Sequence, residues 1–254
     1  MSNLISNITI FSWYNKNKEK ESFESIKINT WEVICLVWPT WSWKSRLLAD
    51  IEYMANCDTL SNRKIIINWT KTKEDYNFWF DSKFTSQLSQ NMNFIMDLSV
   101  QDLLKLHIDN NWIKDDDEII NKIIYEANKL VWEKFSKEDN ITSLSWWQSR
   151  ALMIADIAFL SATQIVLIDE IENAWINKEK SLKLLIKKDK IVFISTHDPL
   201  IALNANKRLV INNWWVIKII KTNNDEKQLL EKLKITDKLL ETYKELLRNW
   251  ELLK

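Results

Sequence analysis

Apolar and polar positions alternate along two early stretches, Asn3–Phe11 and Ser22–Asn29. A period of two predicts half-buried strands, and the charged stretch YNKNKEKE, Tyr14–Glu21, reads as the turn between them. Glu32–Val37 is a short apolar run, the pattern of a buried strand, and Arg46–Ile51 continues it as a helix. Lys64–Asn68 reads as another strand, closed by a turn at Trp69. From about 92 to 144 the pattern is helical. Within it, Asp115, Asp116, Asp117 and Glu118 open a helix running to Phe135. Acidic side chains are favourable at the positive end of a helix dipole, so the charge run is read as a helix start and not as a metal site. A further helix runs from Gln148 to about Leu160, and strands are expected at 164–168, 190–195, 207–211 and 215–220. Asp225–Lys254 is a mostly helical tail whose leucines, among them Leu229, Leu230, Leu233, Leu240, Leu246 and Leu247, give it an apolar face to pack on the core. There is no internal repeat and no flexible linker.

Composition complicates this picture. The 254 residues include 15 Trp and no Gly, where ordinary usage would supply roughly 18 glycines. Tight turns need positive φ, which glycine alone reaches cheaply. The missing glycines nearly match the surplus tryptophans, so each Trp is read as a position where glycine belongs. Trp31, Trp69, Trp112, the Trp214–Trp215 pair and Trp250 all sit in turn contexts, several directly after Asn, and Asn-Gly is a strong turn signal. Trp13, Trp79, Trp132 and Trp175 are less diagnostic. A stop codon read as Trp instead of Gly, or a deliberate replacement, would each produce such a chain.

Under that reading WPTWSWKS becomes GPTGSGKS, the phosphate-loop pattern G-x-x-x-x-G-K-[ST]. It covers Trp38, Pro39, Thr40, Trp41, Ser42, Trp43, Lys44 and Ser45, and it lies between the strand ending at Val37 and the helix beginning at Arg46, as the motif requires. Glycines there let successive backbone N–H groups point at a phosphate, with Lys44 reaching the terminal phosphates and Ser45 holding Mg2+. As written, the indoles stand where phosphates belong, and strained left-handed backbone is expected at Trp38, Trp41 and Trp43.

Residues Leu144–Gln148 read LSWWQ, hence LSGGQ. With this pentapeptide the chain resembles the ATP-binding cassette (ABC) ATPase family over roughly residues 4 to 220, and the other family motifs follow in order. Gln90 stands where the family has its Q-loop glutamine. Ile165–Glu170 resembles a Walker B strand with its catalytic glutamate, and Ile191–Asp198 resembles the strand and histidine of the H-loop. The resemblance implies an α/β fold: a P-loop NTPase core with a parallel sheet, an N-terminal antiparallel β subdomain and a helical subdomain at about 92–144, together spanning 1–220, with the tail at 221–254. It implies ATP and Mg2+ as ligands, with Ser45, Gln90 and Asp169 on the metal, Glu170 acting on the attacking water and His197 sensing the γ-phosphate. Ser145, Trp146, Trp147 and Gln148 would cover the ATP bound by a second cassette, in a homo- or heterodimer. Tyr14, or alternatively Phe11, would stack on adenine.

Equal numbers of Lys+Arg and Asp+Glu, 35 each, leave no basic field for nucleic acid. No apolar run approaches the ~20 residues of a membrane span, and the first residues do not form a signal peptide. The expectation is a cytoplasmic protein, peripheral to the membrane through a permease partner. Cys35 and Cys57 lie 22 positions apart with no His cluster, which is no metal spacing. His107 reads as a plain helix residue. After Glu170 the family often continues Pro-Thr-Ser-Ala-Leu-Asp, whereas this chain has Ile171, Glu172, Asn173, Ala174, Trp175, Ile176 and Asn177, so the D-loop aspartate is missing. The expected function is the ATP-hydrolysing subunit of a transporter. The alternatives are a soluble ABC-type ATPase with a regulatory or assembly role, or a catalytically dead protein if the tryptophans are literal.

Overall fold

The computed structural model describes residues 5–14, 20–38, 45–69, 72, 84–89, 94–111, 116–170, 176–212 and 215–248. Its elements in chain order are β1 (Asn7–Phe11), β2 (Ser25–Asn29), β3 (Val33–Val37), α1 (Ser45–Glu52), β4 (Ile65–Ile67), β5 (Thr85–Leu88), α2 (Val100–Asn110) and α3 (Asp116–Asn128), then α4 (Trp146–Phe159), β6 (Ile165–Asp169), α5 (Lys178–Ile186), β7 (Ile191–Ser195), α6 (Pro199–Asn204), β8 (Lys207–Asn212), β9 (Trp215–Lys221) and α7 (Asn224–Arg248).

Two sheets form. The larger has the order β5-β6-β7-β3-β8-β9, parallel except for the β8–β9 hairpin. The smaller, β2-β1-β4, is antiparallel. The apolar runs of β3, β6 and β7 have no polar face because both faces are covered, as parallel strands require. Val33, Cys35, Val166, Ile168, Val192 and Ile194 enter one core with residues of α2, α3, α4 and α5. Ile34, Leu36, Ile165, Leu167, Ile191 and Phe193 enter a second core with the small sheet and with Leu47, Leu48 and Ile51 of α1. The mixed α/β fold read from the sequence, with its parallel and antiparallel sheets, is the fold observed. Cys35 is buried and Cys57 is exposed.

Four elements differ from the sequence reading. Among the described residues of 92–144, helix occurs in α2 and α3, and α3 ends at Asn128 instead of Phe135. The Asn128 side chain explains the early stop: its amide donates to the Phe135 carbonyl (2.8 Å) and its oxygen accepts from the Phe135 N–H (3.0 Å), folding the chain back. β5 has the sequence TSQL, in which Leu88 alone is apolar and enters the first core, too little to mark a strand. It is an edge strand whose Ser86 hydroxyl bonds those of Ser161 (2.9 Å) and Thr163 (2.5 Å). α5 and the short α6 were also unforeseen. His107 is more than a plain helix residue. Its Nδ1 lies 2.9 Å from Asp156, tying α2 to α4.

The turn positions bear on the tryptophans. Trp31 has φ 64° in the turn closed by Glu32 N–H to Asn29 O at 3.2 Å. Asn68 and Trp69 have φ of 49° and 75° in succession, the left-handed pair for which Asn-Gly is the usual sequence. Asn212 pairs with Trp215, leaving two residues to connect β8 and β9, a loop length that also favours glycine. Trp38 departs from expectation, since positive φ occurs at Trp31 and Trp69 but not there; Trp41 and Trp43 lie outside the described residues. Trp31 and Trp69 are exposed, so packing does little to offset backbone strain of ~1–3 kcal/mol each.

Trp31→Gly is expected to raise unfolding free energy by about 1 kcal/mol, strain relief outweighing the entropy cost of glycine. Trp69→Gly should gain less, because Lys27 Nζ sits 2.9 Å from its ring centroid and that cation–π contact is lost. Urea titration measures both, and a loss of stability in each variant would contradict the turn argument. A second expectation concerns pH. Hydrogen bonding to Asp156, opposed by burial and aided by its charge, raises the His107 pKa above 6.5. Its contribution is therefore complete below the unfolded value and fades as pH rises through the folded one. Denaturation midpoints at pH 6 and pH 8.5 should differ less in Asp156→Asn than in the parent chain.

Candidate functional site

Parallel register sets the site. Leu36 of β3 and Asp169 of β6 both pair with Ser195 of β7, so three neighbouring strands end at one level. The residues that follow emerge together at the carboxyl edge, where ligands of open α/β sheets bind. Two backbone bonds fix the exits: Glu170 N–H to Ser195 O (3.0 Å) and Thr196 N–H to Leu36 O (3.2 Å). The Ser195 hydroxyl donates to Asp169 Oδ1, orienting the carboxylate at the strand end.

Glu170 leaves β6 with φ 49°. A left-handed conformation in a non-glycine residue stores strain, and such strain concentrates at functional sites. The strand exit at β7 is equally determined. Asp198 N–H bonds Thr196 Oγ1 (2.9 Å), and Asp198 caps α6 through the Leu200 N–H (2.8 Å) while pairing with Lys178. His197 is thus held in a short bend between β7 and α6. Its ring meets the indole of Trp38 edge-on, with centroids 4.4 Å apart and planes at 66°. Trp38 is 8% exposed, so the indole fills the corner between the ends of β3 and β7. Glycine there would leave that corner open beside His197.

Trp38, Asp169, Glu170 and His197 are therefore brought to one edge. Ser45 opens α1, its side chain undescribed, and Pro39, Thr40, Trp41, Ser42, Trp43, Lys44 and Gln90 lie outside the described residues. Tyr14 is 53% exposed beyond the end of β1, bridged to Lys20; Phe11 is the last residue of β1, half-buried. Ser145 and Gln148 form a reciprocal cap on α4. Ser145 Oγ accepts from Gln148 N–H (3.4 Å), and Gln148 Oε1 accepts from the Ser145 N–H (2.8 Å). Trp146 and Trp147 are its first helical residues and pack against the first core. Asn177, one place past the expected aspartate, caps α5 by accepting from Lys180 N–H at 2.9 Å.

Arg150 was not singled out from the sequence. It is 1% exposed and donates to the carbonyls of Asp169 (2.7 Å), Leu88 (3.5 Å) and Ser89. It joins the helix of the LSWWQ motif to the ends of β5 and β6. The available signal was an arginine directly before the mostly apolar run ALMIADIAF of α4, where burial of a guanidinium demands hydrogen-bond acceptors.

No family model matches the chain. It is 39% identical over 244 residues, 96% of this chain and 93% of the relative, to an uncharacterized ABC transporter ATP-binding protein of Methanocaldococcus jannaschii. With that relationship, the chain is a member of the ATP-binding cassette (ABC) family. Among solved structures it is similar to a Pyrococcus furiosus protein described as an ABC transporter ATP-binding protein (TM-score 0.61, 18% identity, 83% of this chain and 100% of that one). It is likewise similar to the ADP conformation of an ATP-binding cassette of an ABC transporter (TM-score 0.58, 18% identity, 92% and 98%). At those identities the structures speak for the fold alone.

Arg150→Ala leaves buried carbonyls at the ends of β5 and β6 without donors. It is expected to lower unfolding free energy by about 3 kcal/mol, read by guanidinium titration. A change under about 1 kcal/mol would show that water replaces the guanidinium there.

Proposed function

We propose that this chain, with glycine at Trp38, Trp41, Trp43, Trp146 and Trp147, binds and hydrolyses ATP and couples hydrolysis to movement of a partner membrane protein. The observation that carries the reading is the shared level of the β3, β6 and β7 ends, which gathers Trp38, Asp169, Glu170 and His197. The transporter assignment of the M. jannaschii relative supports the coupling role. Among the described residues no helix is long and apolar enough to cross a membrane, so in this reading the permease is a separate subunit.

The phosphate loop, from position 38 to Ser45, holds the phosphates on backbone N–H groups at the start of α1, with Lys44 on the terminal ones. Ser45, Gln90 and Asp169 would hold Mg2+. Hydroxyl, amide and carboxylate oxygens suit this hard cation, which supplies charge neutralisation on the phosphate oxygens. Glu170 orients and deprotonates the attacking water. His197 contacts the γ-phosphate, and Tyr14 stacks on adenine. A second cassette presents Ser145, Gln148 and the positions of Trp146 and Trp147 to that phosphate, at the positive end of α4. With the indoles in place, phosphates and side chains compete for one volume, and the chain binds ATP weakly.

A regulatory, soluble ATPase is the second reading. It is favoured by the 25-residue α7, which leaves Leu239, Leu240, Tyr243 and Leu247 exposed. Copurification of a multi-span membrane protein from detergent extracts supports the transporter role, whereas recovery of a soluble partner alone supports the second.

Replacing the five tryptophans by glycine should restore ATP binding, and Glu170→Gln in that background should cut turnover by about 10²-fold or more while leaving binding intact. Calorimetry and phosphate release measure the two effects. Micromolar binding by the tryptophan chain defeats the steric argument, and unchanged turnover in Glu170→Gln defeats the site.

A further inference from the structure

Outside the strand-end site, a buried polar cluster centres on Arg63. Its side chain and those of Glu21 and Asp50 are each 1% exposed or less. Arg63 Nη1 donates to Glu21 Oε2 (2.9 Å) and to the Phe11 carbonyl (3.0 Å), and Nη2 donates to Glu21 Oε1 (3.0 Å). Its Nε lies 3.4 Å from Asp50 Oδ2, an ion pair without hydrogen-bond geometry. Both carboxylates are engaged elsewhere as well. Glu21 accepts from the backbone N–H groups of Trp13 and Val216, each at 2.7 Å, and Asp50 accepts from the Thr59 hydroxyl at 2.8 Å.

The connections run in a particular direction. Asp50 lies on α1, the helix that begins directly after Lys44. Glu21 grips Trp13 twice, through its carboxylate and through its N–H to the Trp13 carbonyl (3.0 Å). Tyr14 follows Trp13 and is bridged to Lys20, the residue before Glu21. Arg63 also holds Phe11, three residues before Tyr14. One planar guanidinium thus spans from the phosphate-loop helix to both flanks of Tyr14. Burying three ionisable groups is expensive compared with packing apolar ones. An apolar contact resists sliding poorly, whereas a bidentate carboxylate–guanidinium pair fixes angle and distance together.

We infer that Arg63, held between Glu21 and Asp50, is a positioning residue for purine recognition, setting Tyr14 at a fixed distance from the phosphate loop. The inference rests on the nucleotide site proposed above and adds its base-reading half. Asp50 lies more than a turn past Ser45, the first residue of α1, so disruption of the trio is expected to fall on binding of the base and not of the phosphates.

The test compares ATP with inorganic tripolyphosphate by calorimetry, in the full chain carrying the five glycines. Arg63→Ala would strand two buried carboxylates, so Glu21→Gln, Asp50→Asn and Arg63→Lys are used, with circular dichroism to confirm folding. The expected result is about tenfold weaker ATP binding with tripolyphosphate unchanged within about twofold. Neither Glu21→Gln nor Asp50→Asn should add loss to Tyr14→Ala. Equal losses for both ligands, no loss for either, or additive losses with Tyr14→Ala overturn the inference, as does failure of all three variants to fold. If the parent binds neither ligand, the nucleotide site itself is wrong. If it binds both and Tyr14→Ala changes neither, the site stands and only the positioning role falls.

Discussion

Parallel pairing of β7 with β6 on one side and β3 on the other brings Asp169, Ser195 and Leu36 to a single level. What leaves the sheet beyond them is forced into proximity whatever its sequence. A one-residue slip of β7 would turn its side chains to the opposite face, exchanging the two cores that share the sheet. Burial of both faces thus enforces the register, and the register enforces the site. Residues as distant in the chain as Trp38 and His197 reach ring contact this way, without a dedicated scaffold of their own.

The same sheet receives its surroundings through a few polar ties. Arg150 joins α4 to the carbonyl ends of β5 and β6, and Lys190, its pKa pushed down to about 8 by burial and secondarily by Lys188, bonds the carbonyls of Ser161 and Thr163 at the opposite edge. Apolar packing holds the layers together, but it is indifferent to small rotations. Hydrogen bonds to strand-end carbonyls are not, and both of these cations bind carbonyls at the ends of β6 or in the loop before it.

Strands whose burial alternates or is complete were legible because their side chains report the sheet's two faces directly. The motif residues Asp169, Glu170 and His197 were legible because each follows an apolar run that must end at a sheet edge. β5 was not, since TSQL is an edge strand satisfied by hydroxyls of a loop 75 residues away. The end of α3 was hidden for a similar reason. Nothing in the local pattern tells Asn128 to bond Phe135 instead of continuing the helix. Arg150 and the Arg63 cluster depend on partners far along the chain, and periodicity carries no information about such pairs. The tryptophans were legible as turns at Trp31 and Trp69, where backbone conformation betrays the residue that belongs there. The left-handed backbone expected at Trp38 is not found, since its φ is not positive.

If two cassettes pair as proposed, the reciprocal cap on α4 bears on how easily they part. Ser145 and Gln148 already satisfy each other, and the Gln148 amide donates to the Glu133 carbonyl at 3.1 Å. An arriving phosphate would meet donors that are occupied, so its gain is a swap of partners in which little is won or lost per bond. A latch made of exchanged bonds opens on modest provocation. In that pairing, loss of a single charged oxygen group would tip it back, because the helix end would reclaim its own cap as the neighbour withdraws.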